Sequence, residues 1–263
     1  MTLYADLFRY RDLFLNLFRR ELSVKYRGSV LGLGWTLVLP VVLMGVYTVV
    51  FSVLLKAVSI HHYPLFLLSG LVTWVFFQGA LQTSCTSLLG QASLVKQVRF
   101  PRQLLPFAVV ATNAVTLLVM LAIIVPVNLI FVPATRSTFW AGIPLVLPLV
   151  ALAGSLALVL ASLTVIFRDV EHLLTAVLLP WFFLTPVFYT FDLPGIGNHP
   201  ALVDAVHYGN PVAPFVLAIR DPLFFGRLPR AGDVAYVIVA ALVALAAAAF
   251  VFRRVDDQLA AHL

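Results

Sequence analysis

The 263-residue chain is 62% hydrophobic and only 11% charged, where a soluble domain carries about 25% charged residues. So few charges cannot cover a soluble fold of this size, and lipid is therefore the solvent for most of the chain. The formal net charge of +6 sits in short basic clusters between long apolar runs, which is a pattern of membrane orientation and not of a nucleic-acid partner.

The first 28 residues read as a separate region. Leu3, Leu7, Tyr10, Phe14 and Leu17 repeat at helical spacing with Phe18 beside them, while Arg9, Asp12, Asn16 and Arg19 take the other side and Arg11 intrudes on the apolar face. This spacing predicts an amphipathic helix for the membrane surface. Its charges, and the length of the apolar run that follows, do not match a cleavable signal peptide. The region ends in Lys25, Tyr26 and Arg27, two cations and a hydroxyl at the lip of 28 uncharged residues that run to Lys56.

A membrane helix needs about 20 mostly apolar residues. With charged residues, His62 and His172 as fences, the gaps predict six spans, at about 30–55, 64–88, 104–132, 139–166, 173–191 and 234–252. Prolines 40, 126, 144, 148 and 180 fall in or near them, which neighbouring helices tolerate. If the N-terminus is cytoplasmic, 12 of the 17 lysines and arginines lie on that side. The expectation is a multi-pass protein of the cell inner (plasma) membrane with both termini inside.

Three stretches lie outside the spans. Gly90–Gln103 is polar, basic and of helix length, longer than the 2–8 residues that usually join packed helices. Phe167–Glu171 is a tight charged turn. Residues 192–233, placed on the far side, hold six of the 16 prolines. Within them Pro211–Gly226 is apolar but too short to cross, which predicts a re-entrant or interfacial helix.

No charged residue falls inside a span, which argues against the buried ion ligands of a proton- or sodium-driven carrier. None of the three lysines follows glycine, so no phosphate-binding GxxxxGK[ST] loop exists. No paired carboxylates or HExxH site suggests catalysis or a metal. The His61–His62 pair lacks a third ligand and reads as a loop pair, and the single Cys85 forbids an intrachain disulfide. What remains is a membrane part without an engine: a passive channel, or a component driven by a partner. The two cytoplasmic turns are elements that an ATPase could push.

Several motifs recur in an order that resembles one family, the transmembrane subunits of ABC-2 type polysaccharide exporters (O-antigen, teichoic acid and capsule transporters). KYRGSVLGLGWTLVLPVVLMGVYTVVFS is similar to their first-span signature, and FLLSGLVTWVFF at 66–77 to their second span. VIFRDVEHLL at 165–174 resembles their FRD turn, and FFLTPVFYT at 182–190 and GNPVAPFVLAIRDPLF at 209–224 resemble their fifth span and the segment after it.

The resemblance implies an all-α integral membrane fold. It comprises an interface helix at 1–28, a six-span permease domain at 29–263, a coupling helix at 90–103 and re-entrant gate helices within 192–233. It implies a second copy of the chain and two copies of a separate ABC ATPase that holds ATP and Mg, with no cofactor in this chain. ATPase coupling falls to Lys96, Arg99, Phe100, Arg102, Arg168, Asp169 and Glu171. The implied substrate is a glycan on an undecaprenyl-pyrophosphate-like lipid. Lys25, Tyr26 and Arg27 then lie at headgroup depth, where a pyrophosphate needs charge-assisted donors, although the same residues also serve orientation. Aromatic rings suit the C–H faces of a sliding sugar chain, and Tyr47, Phe51, Trp74, Phe77, Phe188 and Tyr189 are the candidates for its path. The alternative is an ABC-2 exporter of a drug or small lipid, which needs neither the basic-aromatic lip nor a polymer-wide path.

Overall fold

The computed structural model describes residues 4–29, 32–54, 60–93, 100–191 and 200–262. Among these residues every regular element is helical. Helix α1 (Ala5–Arg9) and helix α2 (Arg11–Tyr26) precede α3 (Trp35–Tyr47), whose end continues as π-helical turns over Thr48–Leu54. Then come α4 (Tyr63–Cys85), α5 (Leu104–Phe131), α6 (Val146–Ile166), α7 (Val170–Leu184), α8 (Pro200–Gly209), α9 (Ala213–Arg220) and α10 (Ala231–His262).

Among the described residues five helical stretches are long and apolar enough to cross a bilayer: Trp35–Leu54, Tyr63–Cys85, Leu104–Phe131, Phe139–Ile166 and Ala231–Asp256. Their bounds lie close to the first four and the last of the predicted spans. The fifth predicted span differs. Its helix, α7, has 15 residues, which at 1.5 Å per residue is about 22 Å, short of a core of about 30 Å.

Pro186 is the reason α7 stops early. A proline disfavours the helical region for the residue before it, and Thr185 is accordingly extended at φ −88° and ψ 133°. The chain then continues without a helix through buried Val187 and Phe188. Irregular backbone at membrane depth needs protein donors, and it has them. The Tyr63 hydroxyl donates to the Phe188 carbonyl at 2.8 Å, and Arg220 Nη1 donates to the Pro186 carbonyl at 2.7 Å.

α4 is the axis of the bundle. Two-thirds of its apolar window is buried, against 6% for the first span. α4 packs on α5, α6 and α9, and α6 packs on α10. Small residues on α6, among them Ala153, Gly154, Ala157 and Ala161, are buried, as close helix packing in lipid requires.

The amphipathic stripe of the N-terminal region finds a protein partner. Leu7, Tyr10, Phe14 and Phe18 pack with buried Leu17 on a cluster formed by Leu88, Leu104, Leu105, Val165 and Phe252. The expected amphipathic helix thus docks part of its apolar stripe on the end of the bundle, while Phe8, Leu15 and Val24 stay exposed. Tyr4 OH donates to the Leu245 carbonyl at 2.6 Å, Gln103 Nε2 to Asp6 at 2.8 Å, and Arg102 Nη1 to Asp256 Oδ1 at 3.0 Å. These bonds gather the N-terminal helices, the start of α5 and the end of α10 at one end of the molecule.

The opposite end is built around the segment after α7. Every residue of α9 is buried, so this short apolar helix is enclosed within the bundle. Asn210 ties it to α7: Trp181 Nε1 donates to Asn210 Oδ1 at 2.8 Å, and Asn210 Nδ2 donates to Thr185 Oγ1 at 2.9 Å. After α9 the chain passes through π-helical turns over Asp221–Phe225 and reverses at Gly226, φ +65°. A Cβ there would also meet the Ala134 carbonyl oxygen at 2.5 Å, so both backbone and space require glycine. Residues 192–199 of the predicted gate segment lie outside the described residues.

Candidate functional site: a cationic lip and an aromatic groove

Lys25 and Tyr26 form the last turn of α2, and Arg27 leaves it in an extended conformation at φ −65° and ψ 130°. Helical spacing turns Lys25 and Tyr26 toward α5, where two polar residues one turn apart meet them. Lys25 Nζ donates to Asn113 Oδ1 at 3.1 Å and to Thr116 Oγ1 at 3.2 Å, and the Tyr26 hydroxyl lies 3.0 Å from Thr116 Oγ1. Asn113 Nδ2 in turn donates to Thr83 Oγ1 of α4 at 2.9 Å. The Arg27 side chain is exposed beside them.

Asn113 and Thr116 are both buried, and a buried amide is tolerated only when bonded. Lys25 and Thr83 supply those bonds. The Lys25 side chain keeps an exposed flank, yet the protein crowding its ammonium lowers its pKa from the ordinary lysine value through desolvation. An anion beside it would offset that cost. A cavity of about 170 Å³ opens here between Glu21, Lys25, Thr83, Val109 and Asn113.

Above this lip runs a second feature. A groove of about 520 Å³ lies between the first span, α4 and α7, walled by Leu43, Tyr47, Trp74, Gln78, Gln82 and Phe182. Trp74 Nε1 donates to Gln78 Oε1 at 2.8 Å. The glutamine amides give the groove hydrogen-bonding capacity on an otherwise apolar helix.

The aromatic candidates separate by depth. Tyr47, Phe51 and Tyr189 are half-buried. Phe51 stacks on Phe188 at 5.0 Å, and Tyr47 lies 6.1 Å from Phe188 and 5.8 Å from Phe182. Phe188 meets Tyr189 edge-on at 5.1 Å, and Tyr189 meets Phe191 at 6.0 Å. Trp74 and Phe77 have 2% and 0% of their surface exposed and interlock with Trp181 at 6.3 and 5.3 Å. These two rings are core pieces, and of the two Trp74 lines the groove. The structure thus gathers Tyr47, Phe51, Phe188 and Tyr189 into one ribbon and sets Trp74 and Phe77 behind it.

A family profile described as "ABC-2 type transporter" matches residues 12–224. The chain belongs to that family. It is also similar to "O-antigen export system permease protein RfbA" of Myxococcus xanthus, with 30% identity over 99% of this chain and 98% of the relative. Two Klebsiella pneumoniae proteins of the same printed name are 28% and 25% identical, each over 82% of both chains.

As an ABC-2 chain this is a multi-pass membrane transport component. Its predicted coupling residues fall into three groups. Arg168, Asp169 and Glu171 are exposed on the turn between α6 and α7, open to a partner. Arg102 and Phe100 are engaged inside the protomer, Arg102 with Asp256 and Phe100 against the terminal cluster. Lys96 and Arg99 lie outside the described residues. Among the described residues no group of three metal-ligating side chains occurs.

Asn113, Thr116, Gln78, Gln82 and Arg220 escaped the sequence reading. A signal was present for the first four: polar residues at i, i+3 and i, i+4 in apolar spans, which lipid exposure would penalise. Arg220 was hidden because it lies in a segment assigned outside the spans.

Proposed function

We propose that the chain is the permease half of an ATP-driven exporter that carries a lipid-linked, O-antigen-like polysaccharide from the cytoplasmic to the outer face of the cell membrane. The observation that carries this reading is the adjacency of an anion-competent lip to an aromatic, amide-bearing groove, in a chain related over nearly its whole length to an O-antigen export permease. A pyrophosphate carrier presents several negative oxygens at headgroup depth, and Lys25, Arg27 and the Tyr26 hydroxyl offer donors to them. Sugar C–H faces pack on Tyr47, Phe51, Phe188 and Tyr189, while Gln78 and Gln82 meet hydroxyls. Contacts of this kind are numerous and individually weak, as sliding requires.

The groove lies on the least buried side of the bundle. Val42, Val46, Val49 and Val53 of the first span and Leu173, Val177 and Leu179 of α7 are exposed. A second copy of the chain closes this side and completes a path of polymer width, with the first span and α7 of each copy as walls. The exposed Arg168–Glu171 turn receives the ABC ATPase, two copies per assembly, which supplies ATP, Mg and the driving force. Both termini then face the cytoplasm, with residues 90–103 beside them.

Co-expression with an ABC ATPase from the same organism tests this reading. The two chains are expected to co-purify, and lipid-linked glycan is expected to stimulate ATP hydrolysis where the bare polyprenol does not. Stimulation by small amphiphiles and none by lipid-linked glycan would support a drug or small-lipid exporter instead.

A further inference from the structure

At the end of the bundle opposite the lip, a polar pocket of about 290 Å³ lies between the segment after α7, helices α8 and α9, and the start of α10. Arg220 forms part of its wall. This guanidinium is fully buried. Nη1 is taken by the Pro186 and Val187 carbonyls, and the plane lies over Phe66 at 4.2 Å. Among the described residues Nε and Nη2 have no hydrogen-bond partner. Those two nitrogens share one edge of the guanidinium, the edge that grips two oxygens of a phosphate or carboxylate side by side.

The other charges of the pocket are already matched or stand at its rim. Asp221 accepts from Arg227 at 2.9 Å, and Asp233 lies 2.8 Å from His207 Nε2. Arg230 and Asp204 are exposed. A buried cation with two unmet donors is a costly arrangement without a ligand.

We propose that this pocket is a second anion site, at the outer end of the path, that takes a phosphate-type group. The aromatic ribbon leads to it, because Phe191, the ring after Tyr189, stacks on His207 at 5.4 Å. Arg220 holds two oxygens of the anion through its free edge, and Arg230 closes over it from the rim. Identification of the group as the pyrophosphate of a crossed carrier lipid rests on the function proposed above. The anion chemistry does not.

The test uses the full-length chain in nanodiscs, titrated with polyprenyl pyrophosphate, inorganic pyrophosphate and neutral polyprenol. It is run in a Lys25→Gln, Arg27→Gln background so that the lip contributes little. Pyrophosphate binding is expected to persist in that background and to weaken at least tenfold when Arg230→Glu is added, with the ligand-free melting temperature unchanged. Arg220→Lys should abolish the residual binding, and because it alters a buried contact the exposed Arg230 variant decides. Tighter binding of the polyprenyl form identifies a lipid headgroup as the source, and equal binding identifies a free anion. Loss of all binding in the Lys25→Gln, Arg27→Gln protein overturns the outer site and leaves the lip intact. Binding that survives both sets of substitutions unchanged overturns both, and water alone then meets the Arg220 donors.

Discussion

Lys25 shows how one side chain links sequence position to chemistry. Its ammonium is held by Asn113 and Thr116, which leaves it fixed rather than free to sweep through the headgroups. Charge-assisted hydrogen bonds contribute roughly 1.5–3 kcal/mol each, and about 1.4 kcal/mol is a factor of ten. The Lys25→Gln, Arg27→Gln protein should therefore lose about tenfold or more in apparent affinity for lipid-linked glycan, read as the half-maximal concentration for ATPase stimulation. Tyr26→Phe, which removes one hydroxyl, should cost less. An unchanged half-maximal concentration in the double variant would leave the cations with orientation alone.

The lowered Lys25 pKa adds a pH signature. Anion binding needs the protonated form, so affinity should fall as pH rises, starting below the ~10.4 of a free lysine. Stability moves the other way: a lysine whose folded pKa is depressed binds fewer protons folded than unfolded, so its contribution to folding improves with pH in that window. Loss of binding at alkaline pH without loss of melting temperature is the expected pair of results. Lys25→Arg, charged throughout, should remove the fall, and an identical pH profile for both proteins would show that Lys25 does not carry the titration.

At the scale of elements, long uncharged gaps coincide with long apolar helices, because lipid imposes one simple requirement on a span. Phe139–Ile166 matches its predicted bounds. The fifth element is less regular: 19 uncharged residues satisfied the length rule, but Thr185–Pro186 ends the helix at Leu184, and tertiary donors from Tyr63 and Arg220 support the irregular backbone that follows. The candidate site was half legible. Residue types at Lys25–Arg27 and Tyr47–Phe51 were visible, whereas the partners on α5 and the depth of Trp74 and Phe77 depend on which helix faces which. The Asn210 stitch is one such tertiary feature. Asn210→Leu should leave the Trp181 indole and the Thr185 hydroxyl without that partner and destabilise the chain by about 1–3 kcal/mol, measurable as a lowered melting temperature in detergent. Gly226→Ala should be at least as severe, since strain at φ > 0 adds to the clash with Ala134. Charge reversal at exposed Arg168 or Asp169 should instead leave melting unchanged and weaken ATPase docking or coupling. Normal export by both reversals would remove that turn from the contact.

For the whole molecule, Gln103 bonds Asp6 and Arg102 bonds Asp256, which sets the N-terminal helices beside the end of α10, and the proposed topology has that end face the cytoplasm. Single cysteines at Arg168 and Leu228 in a Cys85→Ser background should differ in intact cells, with position 228 reacting with an impermeant thiol reagent and position 168 protected. Labelling of 168 from outside would invert the topology. Under the proposed function motion is driven from the ATPase side. Reconstitution of this chain with its ABC ATPase in proteoliposomes, with transferred lipid-linked glycan detected by an enzyme that acts only on the exposed face, measures this directly. The predicted result is transfer that requires ATP hydrolysis and ignores a proton gradient. Transfer driven by the gradient without the ATPase, or ATP-driven transfer of small amphiphiles with none of the glycan, would contradict it.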